Sequence, residues 1–138
     1  MVKIPSFLKL NRDWNADPNA PEPGVAVTSG TLRLSFYLND MAYRAEERQR
    51  GQLTFLDCQV WRLGATNDEG WYYGQCRYSR LAPAWGEFYE VMDGDPLCGP
   101  TDWRQIGGAG RRHFLFYFKD GTFECLAADW SFSRIAAT

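Results

Sequence analysis

The chain has one histidine, His113, and that scarcity excludes more chemistry than any residue present supports. A single imidazole rules out multi-histidine metal sites. It would also have to serve alone as the base of a catalytic triad. Ser79, Ser131 and Ser133 could supply a hydroxyl, but none stands in a G-x-S-x-G context. The plain reading of His113 is a strand-edge residue beside Arg111 and Arg112. Paired cysteines are absent too. Cys58, Cys76, Cys98 and Cys125 form no C-x-x-C pair, so there is no zinc-ribbon spacing. Met1 to Leu10 is too short and too interrupted for a signal peptide, and with no secretion signal the four thiols are expected to be reduced and mostly buried as small apolar groups. No apolar stretch approaches the ~20 residues of a membrane span. A dominant charge sign is lacking as well. Fifteen Lys and Arg against seventeen Asp and Glu give a formal net charge of −2, which offers no global case for nucleic acid or an anionic membrane. Repeats, heptads and low-complexity tracts are missing. The expectation is a soluble cytoplasmic protein without cofactor or metal.

What the chain does have is aromatic residues, 16% of its 138 residues, six of them Trp. Such residues favour strands and large stiff contact surfaces. The length suits one domain, 1–138, able to build a core without disulfide or metal.

The run from Arg112 to Phe132 reads as a β-hairpin with Asp120-Gly121 at its turn, since that pair readily supplies the positive φ of a type I′ turn. This register places Lys119 opposite Thr122, Phe118 opposite Phe123, Phe116 opposite Cys125 and Phe114 opposite Ala127. One face is then Phe114, Phe116, Phe118, Phe123, Cys125 and Ala127, a plain core face. The other carries His113, Leu115, Tyr117, Lys119, Thr122, Glu124, Leu126 and Ala128. Leu115, Tyr117 and Leu126 form its apolar middle, a candidate interaction surface if nothing else covers it.

Elsewhere, residues 3–10 predict a short strand. Asn11 to Gly24, with Pro18, Pro21 and Pro23, predicts an extended or turn-like segment. Val25 to Asn39 predicts a hairpin punctuated by Ser29-Gly30, with Leu32, Leu34, Phe36 and Leu38 on the buried face. Asp40 can cap a short helix over Met41 to Arg50, with Gly51 past its end. Leu53 to Leu63, Trp71 to Leu81 and Trp85 to Met92 predict further strands, and Asp93 to Gly110 a long loop. The sum is a mainly β domain, an antiparallel barrel-like or folded sheet of about seven or eight strands with one short helix.

Three constellations could carry chemistry. Asp13, Asn15 and Asp17 put oxygen ligands at alternate positions, as in the opening of a calcium loop. Pro18 and Gly24 then stand where such a loop needs Gly and Glu, so Asx turns ahead of prolines are the simpler reading. Gly107-Gly108-Ala109-Gly110-Arg111-Arg112 could wrap an anion, but it leads into a strand and lacks the helix N-terminus of known phosphate loops. Trp85, Glu87 and Tyr89 would share a strand face, and with Trp71, Tyr73 and Arg77 as counter-charge they could line a small-ligand pocket. The competing reading is a solvent-facing stripe balanced by Arg77 and Arg80.

Asn11-Arg12-Asp13-Trp14-Asn15 with Asp17-Pro18-Asn19-Ala20-Pro21-Glu22-Pro23, Leu34-Ser35-Phe36-Tyr37-Leu38-Asn39, Asn67-Asp68-Glu69-Gly70-Trp71-Tyr72 and the closing aromatic run resemble a family of small uncharacterised single-domain bacterial proteins. The resemblance spans nearly the whole chain. It implies a bacterial cytoplasmic protein and transfers no site residue. The function expected is a non-enzymatic binding or protein-interaction module of the immunity or accessory type, by analogy of size and composition. The alternative is a small-ligand β-barrel or a small enzyme with an aromatic and carboxylate pocket. The partner would be a protein or a small ligand, with no nucleic acid and no membrane.

Overall fold

The computed structural model describes residues 4–64, 78, 81, 84–119 and 121–135. Ten strands lie among them: β1 (Ser6–Lys9), β2 (Gly24–Thr28), β3 (Thr31–Tyr37), β4 (Arg50–Leu56), β5 (Val60–Gly64), β6 (Phe88–Met92), β7 (Arg104–Gln105), β8 (Arg112–Phe118), β9 (Gly121–Ala127) and β10 (Asp129–Ile135). They form two antiparallel sheets, one ordered β1-β6-β8-β9-β5-β7 and the other β10-β4-β3-β2. Neither closes into a barrel. The sheets face each other across one aromatic core. Leu32, Leu34 and Phe36 of β3 and Leu53 and Phe55 of β4 meet Phe114, Phe116 and Phe118 of β8 and Phe123 and Cys125 of β9. Phe36 meets Phe116 edge-on with ring centroids 5.3 Å apart, and Phe55 lies 5.2 Å from Phe114. Each fully buried Leu or Phe stabilises the fold by about 1.5–3 kcal/mol relative to exposure. Among the described residues no helix is long and apolar enough to cross a membrane.

The hairpin β8–β9 keeps its predicted faces but not its register. Phe118 pairs with Gly121, Phe116 with Phe123, Phe114 with Cys125 and Arg112 with Ala127, a slip of two residues from the sequence-based pairing. A slip of two preserves which residues share a face, so Phe114 to Ala127 still form the core face. The physical reason lies at Gly121. A Cβ there would sit 2.9 Å from the carbonyl oxygen of Gly64 on the neighbouring strand, so this glycine admits a close strand approach and belongs to β9. The run also ends differently. The chain bends at Ala128, and β10 crosses to the other sheet to pair with β4, Asp129 opposite Leu56 and Ile135 opposite Arg50.

The other departures have local causes. Leu53 to Leu63 is two strands in different sheets. Asp57 takes a positive φ of 51° at the break, and the amides of Gly107, Gly108 and Gly110 bond to the carbonyls of Gln59, Cys58 and Asp57. The helix expected over Met41 to Arg50 is absent, and residues 40–48 form turns. The cap is Asn39, whose side chain accepts the amides of Met41 and Ala42. The thin apolar stripe gives a helix no face to bury, so the chain instead returns through a Glu46–Gln49 turn, and Gln49 accepts the Leu38 amide. The strand expected from Trp85 begins at Phe88, because Gly86 turns with φ at 80°. The strand expected over Trp71 to Leu81 lies outside the described residues apart from Tyr78 and Leu81. Asn11 to Gly24 is largely irregular, as its prolines require, with one bridge from Ala16 to Leu38. Ser29 and Gly30, at φ 49° and 82°, supply the two positive φ values of a type I′ turn between β2 and β3.

Candidate functional site

The predicted ligand set divides. Trp71, Tyr73 and Arg77 lie outside the described residues. Trp85 and Tyr89 lie in one apolar cluster, and Glu87 stands just before β6. Glu87 turns toward the N-terminal segment, where it accepts from Asn11 Nδ2 at 2.7 Å and pairs with Lys9 at 3.4 Å. Tyr89 is buried, and its hydroxyl donates to the Ala84 carbonyl at 3.1 Å. Burial and the nearby Glu87 charge push its pKa up to about 12. The Trp85 ring lies 4.9 Å from Tyr117. The predicted interaction surface is corrected: Leu115, Tyr117 and Leu126 are all buried. Leu115 and Tyr117 belong to a second apolar cluster with Tyr89 and Val91, against which Phe7, Tyr78 and Trp85 pack. The hairpin's second face is therefore covered by this chain itself.

That face also holds a polar chain absent from the sequence reading. His113, on an interior strand and only 4% exposed, lies 2.7 Å from Glu124 Oε1. Glu124 is fully buried, and its Oε2 accepts from Arg62 at 2.7 Å. Arg62 also grips Asp102 through Nε at 2.7 Å and Nη2 at 3.3 Å. Burial opposes the Arg62 charge, but the two carboxylates outweigh it and hold the guanidinium's pKa above its usual value. Asp102 is held below its usual value by the Arg62 hydrogen bond. A carboxylate placed between Phe123 and Cys125 was the sequence signal for such a chain, since a charge on an otherwise apolar strand needs a partner.

The remaining motifs are spent internally. Asp17 accepts the amides of Asn19 and Ala20, and Asn15 bonds the Ala16 amide and the Gly86 carbonyl, which are turn and tethering roles. Among the described residues no group of three or more His, Cys, Asp and Glu is placed to hold a metal ion. The Gly107 to Gly110 amides all donate to residues 57–59, with Ala109 bonding Asp57 Oδ1 at 3.1 Å, leaving none to cradle an anion. A Cβ on Gly108 or Gly110 would fall 2.4 Å from the Cys58 carbonyl or 2.1 Å from the Ala128 amide.

What stays open is the outer face of the four-stranded sheet. Strand alternation places Arg33, Ser35 and Tyr37 of β3, Gln52 and Thr54 of β4 and Ser131 and Ser133 of β10 on that face, none of them buried. Arg50 joins them from β4, and Arg48 reaches over from the preceding turn. Both guanidiniums lie 4.6 Å from the Tyr37 ring centroid. Arg48 donates to the Tyr37 hydroxyl at 2.8 Å, and Arg50 to Ser35 Oγ at 3.0 Å. Arg48 holds a φ of 58°, the left-handed region where a turn prefers glycine. Among the described residues Arg33, Arg48 and Arg50 form no ion pair, and Asp129 on the same face is already bonded to Arg112 at 3.2 Å. A broad concavity of about 810 Å³ beyond the sheet's end is lined by Arg12, Arg44 and Arg134 but also by Asp13 and Glu46, so it selects neither charge sign. Arg134 is tied there to the carbonyls of Arg44 and Asp13.

No family model, no curated protein and no solved structure matches this chain.

Proposed function

We propose that the protein is a non-enzymatic interaction module that receives an acidic partner protein on the outer face of its four-stranded sheet, in the manner of an immunity or accessory protein of a bacterial cytoplasm. The observation that carries this reading is the group Arg33, Arg48 and Arg50, three guanidiniums on an uncovered face with no carboxylate of their own among the described residues. Arginine and tyrosine are the residue types that anchor protein interfaces, and a Ser, Thr and Gln surround makes a suitable polar rim. Holding two like charges on one ring is unfavourable in the free protein, so an incoming carboxylate relieves that repulsion. The left-handed backbone at Arg48 supports the reading, since the position keeps an arginine where glycine would be less strained.

Affinity isolation with the wild type and an Arg33→Glu, Arg50→Glu double variant tests it. Both substitutions are on a solvated face, and circular dichroism checks that the variant folds. The expected result is a stoichiometric acidic partner held by the wild type, lost from the variant, and released as salt rises. A wild type that stays monomeric and captures nothing, or a variant that retains the partner, overturns the proposal. Capture of nucleic acid in place of protein overturns it equally.

A further inference from the structure

The two sheets do not close evenly. On the side where β10 and β6 approach, Trp14 fills the gap. Its ring stacks on Phe132 at 4.0 Å and packs within 6.2 Å of Phe88. On the other side the sheets end in β7, two residues long, and β2. Val25 and Val27 pair with Leu34 and Leu32 and so face inward, but Val27 remains 42% exposed. Across from them Trp61 and Leu63 face inward from β5, and Leu63 is 37% exposed. The last layer of the core is present on both sheets and left open between them. The opening consists of two adjoining open depressions of about 340 and 620 Å³ that share Trp61 and Arg104.

The opening has a defined polar end. Arg104 pairs across β5 with Trp61, so the two share the inward face, and its guanidinium lies 5.2 Å from the indole centroid. Among the described residues it forms no ion pair. Asp102, the one carboxylate among the described residues that line these depressions, is taken up by Nε and Nη2 of Arg62. The walls are mixed: Val25, Val27, Trp61, Leu63 and Ile106 supply an apolar and aromatic strip, Ser29, Gln105 and Asp102 a polar margin, and the Arg104 guanidinium, without an ion pair among the described residues, stands at the rim. A guanidinium stacked on an indole is oriented to bind a carboxylate edge-on while its face stays occupied.

We propose that this slot between β2 and β5–β7 binds a small molecule made of an apolar chain or ring ending in a carboxylate. The apolar part fills the gap between Val27, Trp61, Leu63 and Ile106, and the carboxylate takes the fork of Arg104. This site is separate from the open sheet face and stands whether or not the partner proposal holds.

Decanoate, with 1-decanol as a neutral analogue, provides the test by titration calorimetry and by the shift of the Trp61 indole resonance, assigned through its loss in Trp61→Phe. The wild type is expected to bind decanoate saturably, and Arg104→Gln to weaken decanoate about ten- to hundredfold while leaving decanol unchanged. Arg104→Lys is expected to restore part of the loss, and Val27→Glu to weaken both ligands. Arg104 is exposed on a two-residue strand, so its variants should fold. A wild type that binds decanoate no tighter than about 1 mM, or an Arg104→Gln variant that binds it as well as the wild type, overturns the assignment. So does binding that leaves the Trp61 resonance unmoved.

Discussion

At the scale of single residues, Glu124 carries the heaviest electrostatic demand. It is fully buried and holds Arg62 and His113 together. Removing one partner of such a pair strands the other, at a cost of about 3–5 kcal/mol. Glu124→Ala is therefore expected to lose about that much stability in a urea titration. An Arg62→Met, Glu124→Leu double variant should recover much of it, because an apolar pair of similar volume leaves no buried charge. Tyr89 sets a second expectation. Its phenol ionises near 12 in the folded protein, against about 10 in an unfolded chain. Below about pH 10 both states hold the proton and the contribution is complete. Between about 10 and 12 the unfolded chain releases it first, so stability falls as pH rises, by up to about 2–3 kcal/mol. Tyr89→Phe should flatten that alkaline decline, at a cost of about 1 kcal/mol near neutrality for the lost bond to Ala84. Denaturant midpoints measured from pH 8 to 12 for both proteins check this.

At the scale of elements, the β2–β3 turn makes a sharp expectation. Ser29 occupies a left-handed position that asparagine fills at lower cost. Ser29→Asn should stabilise the protein slightly, read as a raised unfolding midpoint. This turn also shows what local sequence can and cannot determine. The alternation Leu32, Leu34, Phe36 and the Ser-Gly punctuation were enough to give β2 and β3, because both signals lie within a few residues. The face assignment of β8 and β9 survived for the same reason. The register did not, because Gly121 is placed by contact with Gly64 on another strand, and no local rule carries that. The break at Asp57 and the crossing at Ala128 were equally invisible, since each is held by residues distant in sequence. The helix over Met41 to Arg50 failed because capping alone cannot sustain a helix with nothing to bury. As for sites, the polar face of β3 was legible as polar, but the meeting of Arg48, Tyr37 and Arg50 depends on the strand pairing of Tyr37 with Arg50. The same is true of Trp61 and Arg104.

At the scale of the whole molecule, the charges divide by region in a way that the net charge of −2 conceals. Lys9, Arg62 and Arg112 are each paired with a carboxylate, whereas the arginines of the open face are not. Arg104 at the slot is likewise without an ion pair among the described residues, so association at either place should slow as salt rises. The seam between β4 and β10 has a consequence of another kind. It joins Leu56 to Asp129 and Arg50 to Ile135, segments far apart along the chain, and β1 likewise waits for β6. Closing such long loops precedes any reward from the contacts they bring, so this topology folds on the slow end of the scale for its size. If the seam forms after the rate-limiting barrier, weakening it hastens unfolding and leaves the folding rate nearly untouched. The lifetime of the native state, more than the speed of reaching it, then rests on the hydrogen bonds between β4 and β10.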